Sequence, residues 1–288
     1  MLIGSPGSGK TMMARRITTI LPDLSFNEAL EITKIHSVAG KIGNNTIITE
    51  RPFRSPHHTI SATGLIGGGA FPKPGEISLS HYGVLFLDEL PEFNKRTIEV
   101  LRGPLEDRNV TISRANASYS YPCNFMLVAS MNPCPCGYYG STEKECTCNE
   151  KQRNAYRGKI SGPILDRIDI QIEVPSVKYE KLEGRAGESS EVIRERVNKA
   201  REVQLARYKG LNIYSNAELS PKLIERVCKL NEPSKIILKK SFEKMNLSAR
   251  AYSRILKVAR TIADLDGKKD IDSTHIIEAI GYRSLDKK

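Results

Sequence analysis

The residues best suited to chemistry open the chain. Gly4-Ser5-Pro6-Gly7-Ser8-Gly9-Lys10-Thr11 satisfies G-x-x-x-x-G-K-[ST] at every fixed position. Glycine lets successive backbone N–H groups turn inward on an anion, where a Cβ would obstruct them. Lys10 can then reach the outer phosphates of a nucleotide, and the Thr11 hydroxyl can hold Mg²⁺. A Gly/Ser-rich turn that matches by chance is the competing reading. The run from Thr11 to Ile17 argues against it, since a helix there brings its N-terminal dipole to the same anion site.

A partner motif lies downstream. Asp88-Glu89 closes the apolar run Val84-Leu85-Phe86-Leu87, the form of a buried parallel strand. Asp88 is suited to hold Mg²⁺ through water, and Glu89 to orient and deprotonate an attacking water. Asn132 follows the next apolar strand, 125–130, and can hold that water or the terminal phosphate from the other side. Taken alone, it also reads as a turn asparagine before Pro133. Arg167, in Leu165-Asp166-Arg167-Ile168-Asp169, can point into a neighbouring subunit's nucleotide, where an arginine in trans is worth ~10³–10⁵ in rate. Its alternative is a surface arginine paired with Asp166 or Asp169. Arg250 opens the most amphipathic helix and can reach the terminal phosphate, or it is a plain exposed arginine at a helix start.

Cysteine usage points to a third kind of chemistry. Cys134, Cys136, Cys146 and Cys148 form C-x-C-x₉-C-x-C, while Cys123 and Cys228 stand alone. Four thiolates in one short loop satisfy the tetrahedral count of structural Zn²⁺. Reduced or redox-paired thiols are the alternative, because C-x-C is a less usual pairing than C-x₂-C. His57 and His58 are read as loop residues rather than ligands.

The elements that must position these groups alternate in type. Helical stripes cover 11–21, 26–38 and 94–105, with strands at 84–87, 125–130 and 169–174 and a hairpin over 109–119. Between them, 39–81 is too long for a simple connection and reads as a functional insertion or a mobile loop. From Pro175 the character turns helical, over 189–208 and 218–283, with Ser248 and Asp272 as caps. The sharpest stripe, 249–265, puts Tyr252, Ile255, Leu256, Ala259, Ile262 and Ala263 on one face. The expected architecture is an α/β core over 1–175 followed by an all-α lid over 176–288.

Composition narrows the class. The net charge of +11, from 44 basic and 33 acidic residues, favours polyanionic partners, nucleic acid before membrane. No apolar run is long enough to span a bilayer, so the chain is read as soluble and cytoplasmic with no membrane partner.

The order of Gly4–Thr11, Leu85–Glu89, Asn132, Leu165–Asp169 and Ser248-Ala249-Arg250 resembles that of AAA+ ATPases. Three further stretches are similar to the magnesium-chelatase-like group called YifB or ComM. They are Arg54-Ser55-Pro56-His57-His58, Pro74-Gly75-Glu76-Ile77-Ser78-Leu79-Ser80-His81 and Asn132-Pro133-Cys134-Pro135-Cys136-Gly137. The resemblance covers nearly the whole chain. It implies a P-loop core with a parallel sheet flanked by helices, an insertion at the second helix, a hairpin before the sensor strand and an all-α lid. It also implies ATP and Mg²⁺, assembly into a ring with hexamer as the expected size, and matches of Asn132 to sensor 1, Arg167 to the arginine finger and Arg250 to sensor 2. Members of the group carry a Lon-protease-like domain ahead of the P-loop. With only Met1-Leu2-Ile3 before Gly4, the sequence is read as a shortened version.

Arg114 falls in the hairpin that related helicases aim at DNA, and Arg51, Arg54 and Lys73 are basic residues of the insertion. Together they are the candidate DNA contacts, tracking a phosphate backbone without reading bases. The leading expectation is therefore an ATP-hydrolysing ring motor on DNA, in branch migration, recombination or DNA uptake. The alternatives are a chelatase-like ATPase remodelling a protein partner for metal insertion, and an ATP-dependent assembly switch.

Overall fold

The structure is a computed structural model that describes residues 1–43, 47–69, 71–114, 117–142, 144–176, 187–211, 213–283 and 285. The chain divides into two compact units. One is Met1–Thr19, Asp23–Arg167 and Glu173–Arg185; the other is Ile20–Pro22, Ile168–Ile172 and Ala186–Lys288.

The strands are β1 (Leu2–Ile3), β2 (Phe53–Arg54), β3 (Gly67–Gly68), β4 (Lys73–Pro74), β5 (Val84–Leu87), β6 (Asn109–Arg114), β7 (Ala117–Pro122), β8 (Met126–Met131) and β9 (Ile172–Glu173). Five of them make one sheet in the order β2-β5-β8-β1-β9, and the β2–β5, β5–β8 and β8–β1 pairs are parallel. All four residues of β5 are fully buried, as a central parallel strand covered on both faces requires. The helices of this unit include α1 (Lys10–Ile20) and α2 (Phe26–Val38), the latter started by a capping box between Ser25 and Glu28.

The segment 39–81 is no open loop in its described parts. It supplies the edge strand β2, the short helices α3 (Ala62–Ile66) and α4 (Glu76–Leu79), and the β3–β4 hairpin. A Cβ on Gly75 would stand 2.4 Å from the Gly67 nitrogen, so the two hairpin arms close only around glycine. Elements this short carry no periodicity, which is why the sequence hides them. The expected single helix over 94–105 is instead two, α5 (Lys95–Glu99) and α6 (Arg102–Asp107). Pro104 lacks an N–H, and it sits in the first turn of α6, where none is required. The strand expected over 169–174 pairs only at Ile172–Glu173. α7 (Glu150–Arg157) and α8 (Gly162–Leu165) follow the cysteine loop.

Two buried imidazoles tie the 39–81 segment to α2. His36 Nε2 lies 3.0 Å from the Leu79 carbonyl. His81 accepts the Asn124 N–H on Nδ1 at 2.9 Å, which leaves Nε2–H to donate to Glu31 at 3.1 Å.

The second unit is helical: Ser190–Arg207, Pro221–Val227, Glu232–Met245, Ala249–Leu265 and Ser273–Gly281. Ser189, Ser220, Asn231, Ser248 and Asp272 each cap one of these helices by accepting a backbone N–H. In the 249–265 helix the buried face is Ala251, Ile255, Leu256, Ala259, Arg260, Ala263 and Asp264. Tyr252 is exposed rather than buried, so the stripe lies one residue round from its expected place. It also carries a charge network. Asp264, with no exposed side-chain surface, accepts from Arg207, from Arg260 Nε at 3.1 Å and from Asn216 Nδ2 at 2.8 Å. Among the described residues no helix is long and apolar enough to cross a membrane.

Two outcomes follow from these buried charges. Burial pushes His36 and His81 below the ordinary imidazole value of 6.5, so the unfolded chain takes up protons first on acidification. Their contribution is therefore complete above about pH 6.5 and is lost as pH falls below it. Urea midpoints should decline over that window, and His36→Gln or His81→Gln should flatten the decline. Asp264→Ala should cost about 3–5 kcal/mol in denaturant titrations, because it leaves the buried Arg260 and the partly exposed Arg207 without their carboxylate.

Candidate nucleotide site

The phosphate-loop residues sit at the exits of neighbouring strands. β1 runs directly into Gly4, whose N–H donates to the Met131 carbonyl of β8 at 3.2 Å. A Cβ on Gly4 would stand 2.4 Å from the Val174 carbonyl oxygen, so the start of the loop admits only glycine. Gly7 and Gly9 hold φ of +78° and +84°, the left-handed region, and nothing lies within 4 Å of a Cβ built on Gly7.

Lys10 opens α1 and is 9% exposed. Its ammonium donates to the carbonyls of Gly4 and Ser5, both at 2.8 Å, and to Asn132 Oδ1 at 3.2 Å. Burial pulls its pKa below the ordinary lysine value, while Asp88 and then Glu89 oppose the shift. Thr11 Oγ1 donates to Asp88 Oδ2 at 2.9 Å. The other carboxylate oxygen, Oδ1, accepts from Ser130 Oγ, and the same Ser130 oxygen accepts the Glu89 N–H at 3.0 Å. Ser130 was not among the residues expected from sequence. Its signal was a lone hydroxyl in the apolar strand β8, where a buried polar group has to find a partner.

Glu89 itself is exposed at φ 54°, ψ 52°, in the left-handed region that costs an L-residue about 1–2 kcal/mol. Backbone strain of this kind persists where surrounding structure over-determines it, and it clusters at functional positions. The structure thus joins Lys10, Thr11, Asp88 and Asn132 by hydrogen bonds, with Glu89 one bond from Asp88.

The donor set fits a nucleotide with Mg²⁺. Ser8 Oγ is buried without a hydrogen-bond partner among the described residues, inside a loop whose sequence is built for anions. Lys10, Thr11 and Asp88 supply one ammonium, one hydroxyl and one carboxylate at adjoining positions.

The two candidate arginines fall in different units. Arg167 is 6% exposed and turned into its own unit, donating to Glu106 Oε1 at 2.5 Å and to the Pro163 carbonyl at 2.6 Å. Asp169 pairs with Arg254. Arg250 belongs to the second unit, exposed at the start of the 249–265 helix.

Of the candidate DNA contacts, Arg51 donates to the carbonyls of Tyr82 at 2.7 Å and Asp23 at 3.1 Å. Arg54 grips Glu76 with two bonds of 2.6 and 2.8 Å. Both are therefore engaged inside the unit, their charge met by carbonyl or carboxylate oxygens. Lys73 is exposed on β4, and Arg114 ends β6 with its side chain outside the described residues.

The cysteines come together. The four Sγ atoms of Cys134, Cys136, Cys146 and Cys148 all lie within 4.8 Å of one another. Three of the separations are 3.4, 3.6 and 3.7 Å, and all six cysteines are free thiols. Thiolates held tetrahedrally at Zn–S distances near 2.3 Å would stand about 3.8 Å apart. The backbone N–H of Cys136 donates to Cys148 Sγ, and that of Cys148 to Cys146 Sγ, each at 3.4 Å. A backbone hydrogen bond at Tyr138 helps to hold the Cys136 thiol down, to about 5. His57 and His58 stack on each other with ring centroids 4.0 Å apart and do not join the cluster.

The left-handed backbone at Glu89 has a measurable consequence. Glu89→Gly should be more stable than Glu89→Ala by about 1 kcal/mol, the reverse of the usual order. Equal or inverted stabilities in thermal melts would show that the strain is absent.

Comparisons with known proteins identify the family. The family model described as magnesium chelatase, subunit ChlI, matches residues 1–182, and the one for the ChlI C-terminal part matches 187–283. Competence protein ComM of Haemophilus influenzae is 47% identical over 99% of this chain and 55% of its own length. The Escherichia coli protein YifB is 46% identical over 100% of this chain and 56% of its own length. The magnesium-chelatase subunit ChlI of Euglena gracilis is 23% identical over 80% of this chain and 70% of its own length. The chain spans little more than half the length of ComM and YifB. With both halves matched and the phosphate-loop constellation assembled, the chain belongs to the magnesium-chelatase ChlI family, in its YifB/ComM group.

Proposed function

We propose that this chain is the motor portion of a ring-forming ATPase that acts on DNA, with a hexamer as the ring. One observation carries the hydrolytic part: Thr11 and Ser130 fix both oxygens of Asp88, while Ser130 also takes the Glu89 N–H. That network aims one carboxylate at the metal position and leaves Glu89 exposed beside it as the base. Thr11 and Asp88 would hold Mg²⁺, which would supply positive charge against the phosphates in phosphoryl transfer. Lys10 meets the outer phosphates in place of the Gly4 and Ser5 carbonyls, and Asn132 orients the attacking water. Ser5, Pro6, Gly7, Ser8 and Gly9 wrap the phosphates with backbone N–H groups.

Arg167 acts on a neighbour's nucleotide, and Arg250 on the nucleotide of its own subunit. In this chain Arg167 is paired with Glu106, so assembly exchanges that carboxylate for phosphate oxygens. The charge of +11 supports DNA as the partner. So does a relative named as a competence protein, competence being the uptake of external DNA. Lys73 and Arg114 are the leading contacts, ahead of Arg51 and Arg54 with their internal partners. The four-cysteine cluster holds structural Zn²⁺ in a reducing cytoplasm, where thiols stay free. A second reading, remodelling of a protein partner for metal insertion, draws on the ChlI name of the family and of its more distant relatives.

ATP turnover measured without DNA, with single-stranded DNA and with a four-way junction separates the two. The DNA motor should turn over faster with DNA, and Glu89→Gln should lower turnover by about 10²–10⁴-fold. Turnover indifferent to DNA moves the assignment to protein remodelling, and a fully active Glu89→Gln overturns the hydrolytic site.

A further inference from the structure

The cysteine loop leaves the nucleotide site and returns to it. It starts two residues after Asn132, whose Oδ1 accepts from the Lys10 ammonium. Cys134 is completely buried, and its carbonyl accepts the Gly137 N–H at 3.0 Å. Gly137 has φ +87°, and a Cβ built there would stand 2.6 Å from Pro6 Cδ and 2.8 Å from Pro6 Cγ. The turn between the first two cysteines and the rest of the loop therefore lies directly on the phosphate loop, in contact only a glycine permits.

The far end of the cluster is tied back as well. Arg153 NH1 donates to the Cys148 carbonyl at 2.6 Å, anchoring the last cysteine to α7. One turn further along that helix, the buried Tyr156 lies close enough to the backbone of Asn132 for that backbone to act on its hydroxyl. The segment from Asn132 to Tyr156 thus forms a closed circuit. Its two ends meet at Asn132, its middle presses on Pro6, and the four sulfurs sit at its waist.

We propose that a zinc ion held by Cys134, Cys136, Cys146 and Cys148 locks this circuit, so that metal occupancy sets the affinity of the phosphate loop for nucleotide. The inference rests on the reading of the cluster as a zinc site and of Gly4–Thr11 as a nucleotide site. Without a cation the sulfurs are joined only by weak S–H contacts of 3.4–3.7 Å, so the waist opens. Gly137 then loses its seat against Pro6, and Asn132 loses one of the two supports that hold it toward Lys10. Coupling between two binding sites is reciprocal: if zinc tightens nucleotide binding by some factor, nucleotide tightens zinc binding by the same factor.

The test uses the chain as purified, with zinc content by mass spectrometry and a fluorescent ADP analogue with Mg²⁺ as the nucleotide probe. One zinc per chain is expected. Chelation, or Cys146→Ser, should weaken ADP binding by about 5–150-fold. Saturating ADP should lower zinc transfer to a chromophoric chelator at equilibrium by the same factor, a measurement made on the holoprotein that does not require a folded metal-free chain. Gly137→Ala should keep its zinc and still bind ADP more weakly. If the chain binds zinc and ADP but neither affects the other, the coupling is overturned and both site readings stand. If no zinc is bound, the metal reading falls and the inference with it. If ADP does not bind to the zinc-loaded chain, the nucleotide reading falls.

Discussion

A buried ammonium organises the first unit. Lys10 is largely shielded from bulk water, and a charge in that position persists only where oxygens or carboxylates compensate it. The compensation is gathered from three strand exits: the carbonyls of Gly4 and Ser5 after β1, the amide of Asn132 after β8, and the field of Asp88 and Glu89 after β5. Those exits coincide because β5, β8 and β1 are parallel neighbours in that order. Open parallel sheets collect their ligands beyond the carboxyl ends of the strands for this reason. A different strand order would leave the same motif residues scattered along an edge.

The same rule of compensation governs the rest of the molecule, with less obvious effects. Asp264 is held in the second unit by Arg207, Arg260 and Asn216, so a carboxylate occupies the heart of a helical core. Arg54 closes on Glu76 and Arg167 on Glu106, so the charge of two basic side chains is met inside the unit. Charge that is met internally has little left to offer a phosphate backbone. Net charge is thus a poor guide to which basic residue makes the contact, even where it is a fair guide to the class of partner.

Tyr82, Glu89, Arg108 and Asn246 take left-handed backbone without being glycine, and two left-handed positions, Glu89 and Gly137, lie beside the candidate site. Glu89 takes the left-handed backbone directly after the strand that presents Asp88. Gly137 takes it where the cysteine loop meets Pro6. At the first, the Ser130 hydroxyl takes the Glu89 N–H and helps to fix the turn; at the second, no side chain fits at all.

Much of this was legible in the amino-acid order. The phosphate loop is contiguous, and its glycines act through their own backbone, so Gly4–Thr11 could be read without knowing the fold. The strands β5 and β8 announce themselves as apolar runs, and the 249–265 helix by its stripe and its Ser248 cap. The cysteine spacing placed four sulfurs in one loop. Tertiary structure alone decided the rest, because it depends on partners far apart in sequence. Ser130 binds Asp88 across 42 positions, Glu106 takes Arg167 across 61, and Gly137 rests on Pro6 at the opposite end of the unit. The 39–81 segment hid its strand and helices because elements of two to five residues are fixed by what they pack against, not by any pattern of their own. Sequence determined which groups could do chemistry; the parallel sheet and the compensation of buried charge decided which of them meet.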